Sequence, residues 1–376
     1  MENPIDLECD LKNMRKYYGI GKTKERTWRE SQLKGLRAFL MEKKVEIFKA
    51  LKQNLGKHDV EAFRDEIGTL MKSLNFALKS WKEWMSTKKA KLPQMALLSS
   101  AEIVPEPLGV VLIISSWNFP FGLSLEPLIG AISAGNTMVL KPSELSSACS
   151  SPLATALPTY LDRKAIKVIQ GGPDVAEQLL QQKWDKIFFT GSARVGRIVM
   201  SAAAKHLTPF TLELGGNCPA LLDCLSTSWD REVAVKRIIV GKYGACAGQA
   251  CIGIDYILAE KKFTPTLVEL LISRPKNLQV DPKVNASIVY GGTMDEDNLF
   301  IEPTILVDPP LEAVIMTDEI FGPLLPIITL LLQLEKIEDG LEYINSRPKR
   351  FAIYAFTRNK TLQRRRISGT SPGSVR

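Results

Sequence analysis

Two hydrophobic periods divide the chain. Between residues 11 and 90 apolar positions recur at helical spacing. TWRESQLKGLRAFLMEKKVEIFKALKQNLGKH sets mixed charges opposite its apolar stripe, and Asp59–Trp84 repeats the arrangement, so this region predicts amphipathic helices. From Gly109 short continuous apolar runs take over. GVVLIIS, NTMVLK, AIKVIQ, KIFFT and FTLEL read as strands, alternating with the helical stretches LEPLIGAISAG, SPLATALPTYL, PDVAEQLLQQ and ARVGRIVMSAAAK. Runs that are apolar at every position belong to parallel strands covered on both faces. The pattern therefore predicts a doubly wound α/β domain that binds its ligand at the carboxyl ends of the strands. After Gly216 the alternation resumes with longer excursions: CPALLD, helix DREVAVKRIIVGKYG, then strands CIGIDYILA, SIVYG, EPTILVD, LLPIITL and FAIYAFT. These predict a second α/β domain.

Composition narrows the class. A chain of 376 residues, 45% apolar and 24% charged, exceeds one simple core and is not that of a disordered protein. No apolar run reaches the length of a bilayer-spanning helix. The opening MENPIDLECD carries four acids and no apolar leader core, so the expected compartment is the cytoplasm. The net charge of +8 lies wholly beyond residue 340, where nine basic residues face one acid, Glu342. This reads as a solvated tail, and no nucleic-acid partner is expected. The six cysteines (9, 149, 218, 224, 246 and 251) show no framework spacing and read as reduced thiols. With only His58 and His206 present, a zinc site on paired histidines is disfavoured and no metal is expected.

Chemistry is sought at the strand ends. GVVLIIS leads to Asn118, NTMVLK to Lys141 and Glu144, KIFFT to Gly191, Ser192 and Gly196, and FTLEL to Glu213. The Gly191–Gly196 stretch is either a plain strand-to-helix turn or a cradle whose N–H groups meet a pyrophosphate. Lys141 is either an exposed lysine before Pro142 or a ligand-binding one. Cys251, in YGACAGQACIGIDY, is a small loop entering a strand, and its thiol is either a buried packing group or a nucleophile. Taken with Glu213, it suggests covalent catalysis by a thiolate with a carboxylate base, which suits a chain so poor in histidine.

SSWNFP, KPSE, FFTGSARVG, TLELGG, GQAC and EIFGP, in that order and context, resemble the aldehyde dehydrogenase superfamily. PLIGAISAGNTMVLKPSELS is similar to the family 3 type, especially its plant members, and the resemblance runs from about residue 11 to the C-terminus. It implies an aldehyde dehydrogenase-like fold. The N-terminal helices and Rossmann-type cofactor domain would occupy residues 1–212, and an α/β catalytic domain residues 213–376. It implies oxidation of an aldehyde to a carboxylic acid by NAD, with NADP as the second choice. Cys251 would be the nucleophile, Asn118 an oxyanion donor and Glu213 the base. Lys141 and Glu144 would hold a cofactor ribose, Gly191, Ser192 and Gly196 the pyrophosphate, and Glu319 and Phe321 the nicotinamide ribose. Cys246 would have no catalytic role. A homodimer is the assembly implied.

The sequence also departs from the family pattern. It ends at SPGSVR, before the glycine-rich PFGG segment that helps wall the substrate funnel and supplies an interface strand. It is shorter between LVELL and KNLQVDPK, has extra residues at TLLLQLEKIEDG, and carries Asn217 where a lysine usually follows ELGG. These departures predict an incomplete second domain and a compromised subunit interface. They also leave open a non-catalytic variant that keeps cofactor binding or pairs with a full-length subunit.

Overall fold

The amphipathic stripe folds into helices α1 (Leu7–Gly19), α2 (Arg26–Glu42), α3 (Lys44–Leu55), α4 (Asp59–Ala62) and α5 (Gly68–Trp84). The structure, a computed structural model, describes residues 6–96, 99–273, 288–330, 337–361, 364, 369–370 and 372–375. The chain forms two units, Met1–Glu213 and Leu214–Arg376. Between α4 and α5 the helix widens into one π turn over Phe63–Ile67. A short antiparallel ribbon, β1 (Lys88–Lys89) with β2 (Glu102–Ile103), follows. All four of its residues are exposed, so it leaves no apolar period in the sequence.

The predicted alternation then appears: β3 (Val110–Ile114), α6 (Pro120–Ala134), β4 (Thr137–Lys141), α7 (Ser147–Thr155), β5 (Ile166–Val168), α8 (Pro173–Gln181), β6 (Lys186–Gly191), α9 (Ala193–Ala204) and β7 (Phe210–Leu214). The sheet order is β5-β4-β3-β6-β7, and β5, β4, β3 and β6 pair in parallel. Every residue of β3 and β4 is buried, which accounts for their unbroken apolar runs. β7 lies at the sheet edge and stays partly exposed, unlike the fully covered strand its sequence predicts. Leu33, Leu36, Phe39, Leu74 and Trp81 from α2 and α5 join Ile113, Leu128 and Leu140 in one core. Asp162 ties the first helices to this layer by accepting hydrogen bonds from Tyr17 Oη (2.7 Å) and Trp28 Nε1 (2.8 Å).

The second unit contains β8 (Pro219–Leu222), α10 (Ser228–Tyr243), β9 (Tyr256–Glu260), α11 (Thr264–Ile272), β10 (Ile288–Tyr290), β11 (Met294–Asp295), β12 (Phe300–Ile301), β13 (Thr304–Val307), α12 (Val314–Thr317), β14 (Leu324–Leu330), α13 (Ile337–Asn345), β15 (Ala352–Phe356) and β16 (Ser374–Val375). Seven strands form a mixed sheet in the order β10-β13-β14-β9-β8-β15-β16, antiparallel only at β10–β13. The strand expected to start at Cys251 begins five residues later, at Tyr256. Cys251–Gly253 form a turn, because Gly253 N–H bonds back to Ala250 O (2.7 Å) and Ile254 N–H to Gly241 O (3.1 Å). From residue 274 onward the shortening expected after Leu271 lies outside the described residues, as does much of the TLLLQLEKIEDG stretch at 331–336.

Two glycines of α6 give opposite stability predictions. Gly135 closes the helix at φ +87°, and a Cβ there would come within 2.7 Å of the Arg29 guanidinium. Gly130 is an exposed mid-helix residue with nothing within 4 Å of an added Cβ. Gly135→Ala should destabilise the fold by at least about 1–2 kcal/mol, whereas Gly130→Ala should stabilise it by up to about 1 kcal/mol. Denaturant midpoints of the two variants check both signs.

Candidate active site

A strand order of β5-β4-β3-β6-β7 means that the chain works outward from β3 to one edge, returns, and builds the other side from β6. The switch point lies between β3 and β6, where an open parallel sheet leaves a crevice beyond its carboxyl ends. The residues after these two strands, and after neighbouring β4, border that crevice.

Beyond β3 the chain turns through Ser115–Phe119 into α6. Ser115 is buried and its hydroxyl pairs with Ser124 Oγ at 2.7 Å. Asn118 is only 2% exposed, and its carbonyl accepts a hydrogen bond from Lys57 Nζ at 2.9 Å. Lys141, the last residue of β4, is buried rather than exposed, with its ammonium 2.5 Å from Glu144. Partial burial pushes the Glu144 carboxyl up, but Lys141 and a backbone N–H outweigh it and leave the group below its ordinary value. Beyond β6, Ser192 caps α9 by accepting from Val195 N–H at 3.3 Å. The sequence reading of one Gly191–Gly196 turn is corrected here. The turn is Gly191–Ser192, and Gly196 is a buried helical residue whose N–H bonds Ser192 O, because the serine cap starts the helix at once. A Cβ on Gly191 would meet the Phe189 ring at 2.6 Å. Glu213, near the end of β7, is half-buried; burial alone raises its carboxyl, which has no partner among the described residues.

In the second unit Cys251 follows a loop in a rare conformation. Cys246, Ala247 and Gly248 all take positive φ (+49°, +50° and +85°), a region costly for residues other than glycine. A Cβ on Gly248 would come within 2.5 Å of Gly322 O, so this loop presses on the EIFGP segment. Cys251 itself is half-buried, and its backbone is held from both sides. Cys218 Sγ donates to Cys251 O (3.4 Å), and Tyr354 Oη donates to Ile252 O. Cys218 and Cys246 are buried, and burial pushes the Cys218 thiol up to about 12. A cavity of about 520 Å³, lined by Val240, Ala250, Ile252, Tyr354 and Phe356, backs this loop without reaching Cys251.

The EIFGP segment is anchored by Asp255, which the sequence reading did not single out, together with Asn217, which it noted only as a departure. Asp255, buried at the entry to β9, accepts Ile320 N–H (3.1 Å) and Asn217 Nδ2 (2.8 Å). Asn217 Nδ2 also donates to Asp318 O (2.6 Å), so the residue that departs from the family lysine ties ELGG to EIFGP. Buried Lys242 lies 3.9 Å from Asp255, and desolvation lowers its ammonium to about 8. Glu319 carries the opposite shift. Burial, with Asp255 adding to it, pushes its carboxyl up to about 7 against the Gly216 N–H and Lys242. Gly215 lies against Glu319, and a Cβ there would come 2.2 Å from a Glu319 oxygen, so a side chain at this position would displace the carboxyl. Phe321 adopts φ +49°. The candidate residues thus fall in two sets: Asn118, Lys141, Glu144, Gly191, Ser192, Gly196 and Glu213 in the first unit, and Cys251, Glu319 and Phe321 in the second. No described helix is long and apolar enough to cross a membrane.

Comparison with known proteins agrees with this architecture. A family model described as "Aldehyde dehydrogenase family" matches residues 14–286 and 281–376. Aldehyde dehydrogenase family 3 member F1 of Arabidopsis thaliana is 48% identical, over 98% of this chain and 81% of its own length. The structure of Staphylococcus aureus AldH in a substrate-bound state superposes with a TM-score of 0.92 at 35% identity, covering 98% of this chain and 84% of that one. A succinic semialdehyde dehydrogenase from Streptococcus pyogenes, solved in complex with NADP+, shares the fold at 20% identity with a TM-score of 0.85, over 100% of this chain and 87% of its own. The chain belongs to the aldehyde dehydrogenase family, oxidoreductases that act on the aldehyde group, and is similar to family 3 members of plants and animals.

Proposed function

We propose that this chain oxidises an aldehyde to a carboxylic acid through a covalent adduct on Cys251, with NAD as the hydride acceptor. The observation that carries the reading is the state of the thiols: Cys149, Cys218 and Cys246 are sealed in the core, Cys9 and Cys224 lie exposed away from the motif loops, and Cys251 is partly open on a loop braced at its backbone. A reactive thiolate needs such access, and a buried thiol is inert. In the proposed sequence the Cys251 thiolate attacks the carbonyl carbon. Asn118 Nδ2 and the Cys251 N–H donate to the oxyanion, the charge that develops in the transition state. The chemistry that a bound nicotinamide supplies is hydride acceptance, which takes the adduct to a thioester. Glu213 then removes a proton from water, which attacks the thioester and releases the acid and the thiol. A carboxyl raised by burial and not tied up in an ion pair suits a general base.

The residues present fit a dinucleotide. Ser192 leaves the first-turn N–H groups of α9 at the end of β6, a setting that favours a pyrophosphate. Lys141 and Glu144 suit a ribose, and a carboxylate held ionised beside it accepts from a 2′-hydroxyl but repels a 2′-phosphate, which favours NAD over NADP. Glu319, with Phe321, suits the nicotinamide ribose. We also infer a cytoplasmic compartment and, from the family resemblance, a homodimeric assembly with a compromised interface.

Three outcomes follow. Cys251→Ser should lower turnover of a medium-chain aldehyde by about four orders of magnitude and leave the NAD-induced thermal shift intact, while Cys246→Ser keeps most of the turnover; equal losses would overturn the assignment. Calorimetric titration should give a tighter Kd for NAD than for NADP, and Glu144→Gln should narrow the gap. Because the Glu319 carboxyl sits at about 7, NAD binding should tighten as pH rises through that value and the acceptor ionises, and Glu319→Gln should flatten the profile.

A further inference from the structure

A lysine and a glutamate that no part of the mechanism uses are sealed inside the first unit. Lys57 and Glu66 are 1% and 0% exposed, with Lys57 Nζ 2.7 Å from Glu66 Oε1. Burying such a pair gains little stability over apolar packing, because the desolvation of both charges offsets their attraction. Its hydrogen bonds all converge on one segment. Lys57 Nζ donates to Asn118 O at 2.9 Å and stands 4.2 Å from the centre of the Phe119 ring. The second Glu66 oxygen accepts from Phe121 N–H (2.9 Å) and Gly122 N–H (3.1 Å), the first turn of α6. An anionic group at a helix N-terminus is a favourable partner for its dipole. The pair therefore grips the chain on both sides of Phe119, at the residue whose amide would meet the oxyanion and at the helix that follows.

The local fold is shaped to deliver Glu66 there. It lies in the π turn Phe63–Ile67, whose one extra residue rotates the helix relative to a regular α path. Gly68 closes that turn with its N–H on Phe63 O, and a Cβ on Gly68 would come within 2.8 Å of the same oxygen. Lys57 is placed by the left-handed Gly56 (φ +63°), which ends α3 and reverses the chain.

We propose that Lys57 and Glu66 are positioning residues for Asn118: they fix the backbone that carries the oxyanion-donating amide and so set the rate of attack by Cys251. The inference rests on the role given to Asn118 above. It is distinct from a purely architectural role, in which the pair would affect folding and leave the chemistry alone.

The test uses the full chain and p-nitrophenyl acetate without cofactor. The Cys251 thiolate attacks this ester, p-nitrophenolate leaves, and the acetyl group stays on sulfur until water removes it. The burst of p-nitrophenolate then reports acylation alone. The deciding variant is Lys57→Met with Glu66→Gln, which removes both charges together and leaves neither unpaired. It should melt close to the parent, keep its NAD-induced shift, and acylate about a hundredfold more slowly with KM little changed. In an Asn118→Ala background the same two substitutions should cost less than about threefold, since residues acting as a unit are not additive. Parent-like acylation in the double variant, or a full additive loss on top of Asn118→Ala, would overturn the assignment of Lys57 and Glu66. Parent-like acylation in Asn118→Ala alone would instead show that the oxyanion role itself is wrong, and the proposal would fall with it. If the double variant does not fold, Gly68→Ala decides. It leaves both charged residues in place and disturbs only the π turn, and should slow acylation about tenfold, an effect absent in the Asn118→Ala background. An unchanged burst rate, or the same loss in both backgrounds, would overturn the proposal.

Discussion

A parallel sheet ends on one edge with peptide groups that its own ladder no longer serves, and a buried peptide group without a partner is costly. Candidate residues lie in loops that follow strands in the first unit and precede β9 and β14 in the second, and several of these loops are completed by polar groups of their own unit. Lys57 and Glu66 serve the segment after β3, Ser192 the start of α9, Asp255 and Asn217 the EIFGP segment, and Cys218 the carbonyl of Cys251. The same need appears at the opposite edge, where Asn136 Oδ1 accepts Gly109 N–H. Lys57, Glu66, Asp255 and Cys218 do this from inside the core, where rotamers are most restricted, whereas Ser192 is exposed.

This division explains what the sequence could reveal. β3 and β4 were legible because both faces are covered and their runs are apolar, and Asn118, Lys141, Ser192 and Glu213 were legible because each stands at or just beyond the end of a strand run. The ribbon of β1 and β2 and that of β11 and β12 were not, since two exposed residues per strand leave no period. The turn at Cys251 was absorbed into a longer strand because the residues after it are apolar, and only the hydrogen bonds to Ala250 and Gly241 break the run. Lys57 and Glu66 were invisible for another reason. A lysine and a glutamate in an amphipathic stretch read as the solvated face, and only the π turn and the left-handed Gly56 turn them inward.

Charge inside the second unit follows a different logic. Asp255 and Glu319 are two acids beside one buried lysine, Lys242. Asn217 supplies Asp255 with a hydrogen bond but no charge. Burial raises both carboxyls more than Lys242 lowers them, so this corner holds a group that changes protonation near neutrality.

The run of left-handed residues at Cys246, Ala247 and Gly248 bears on how such a protein can vary. A Cβ on Gly248 would come within 2.5 Å of the Gly322 carbonyl, so the approach to Cys251, the nucleophile proposed above, has no room for a larger side chain at this position. On the proposed function, change in the aldehyde accepted would therefore enter through residues that face the substrate from other loops, while the stretch leading to Cys251 stays rigid. The sulfur proposed as reactive would then act as a fixed post around which the rest of the pocket is free to drift.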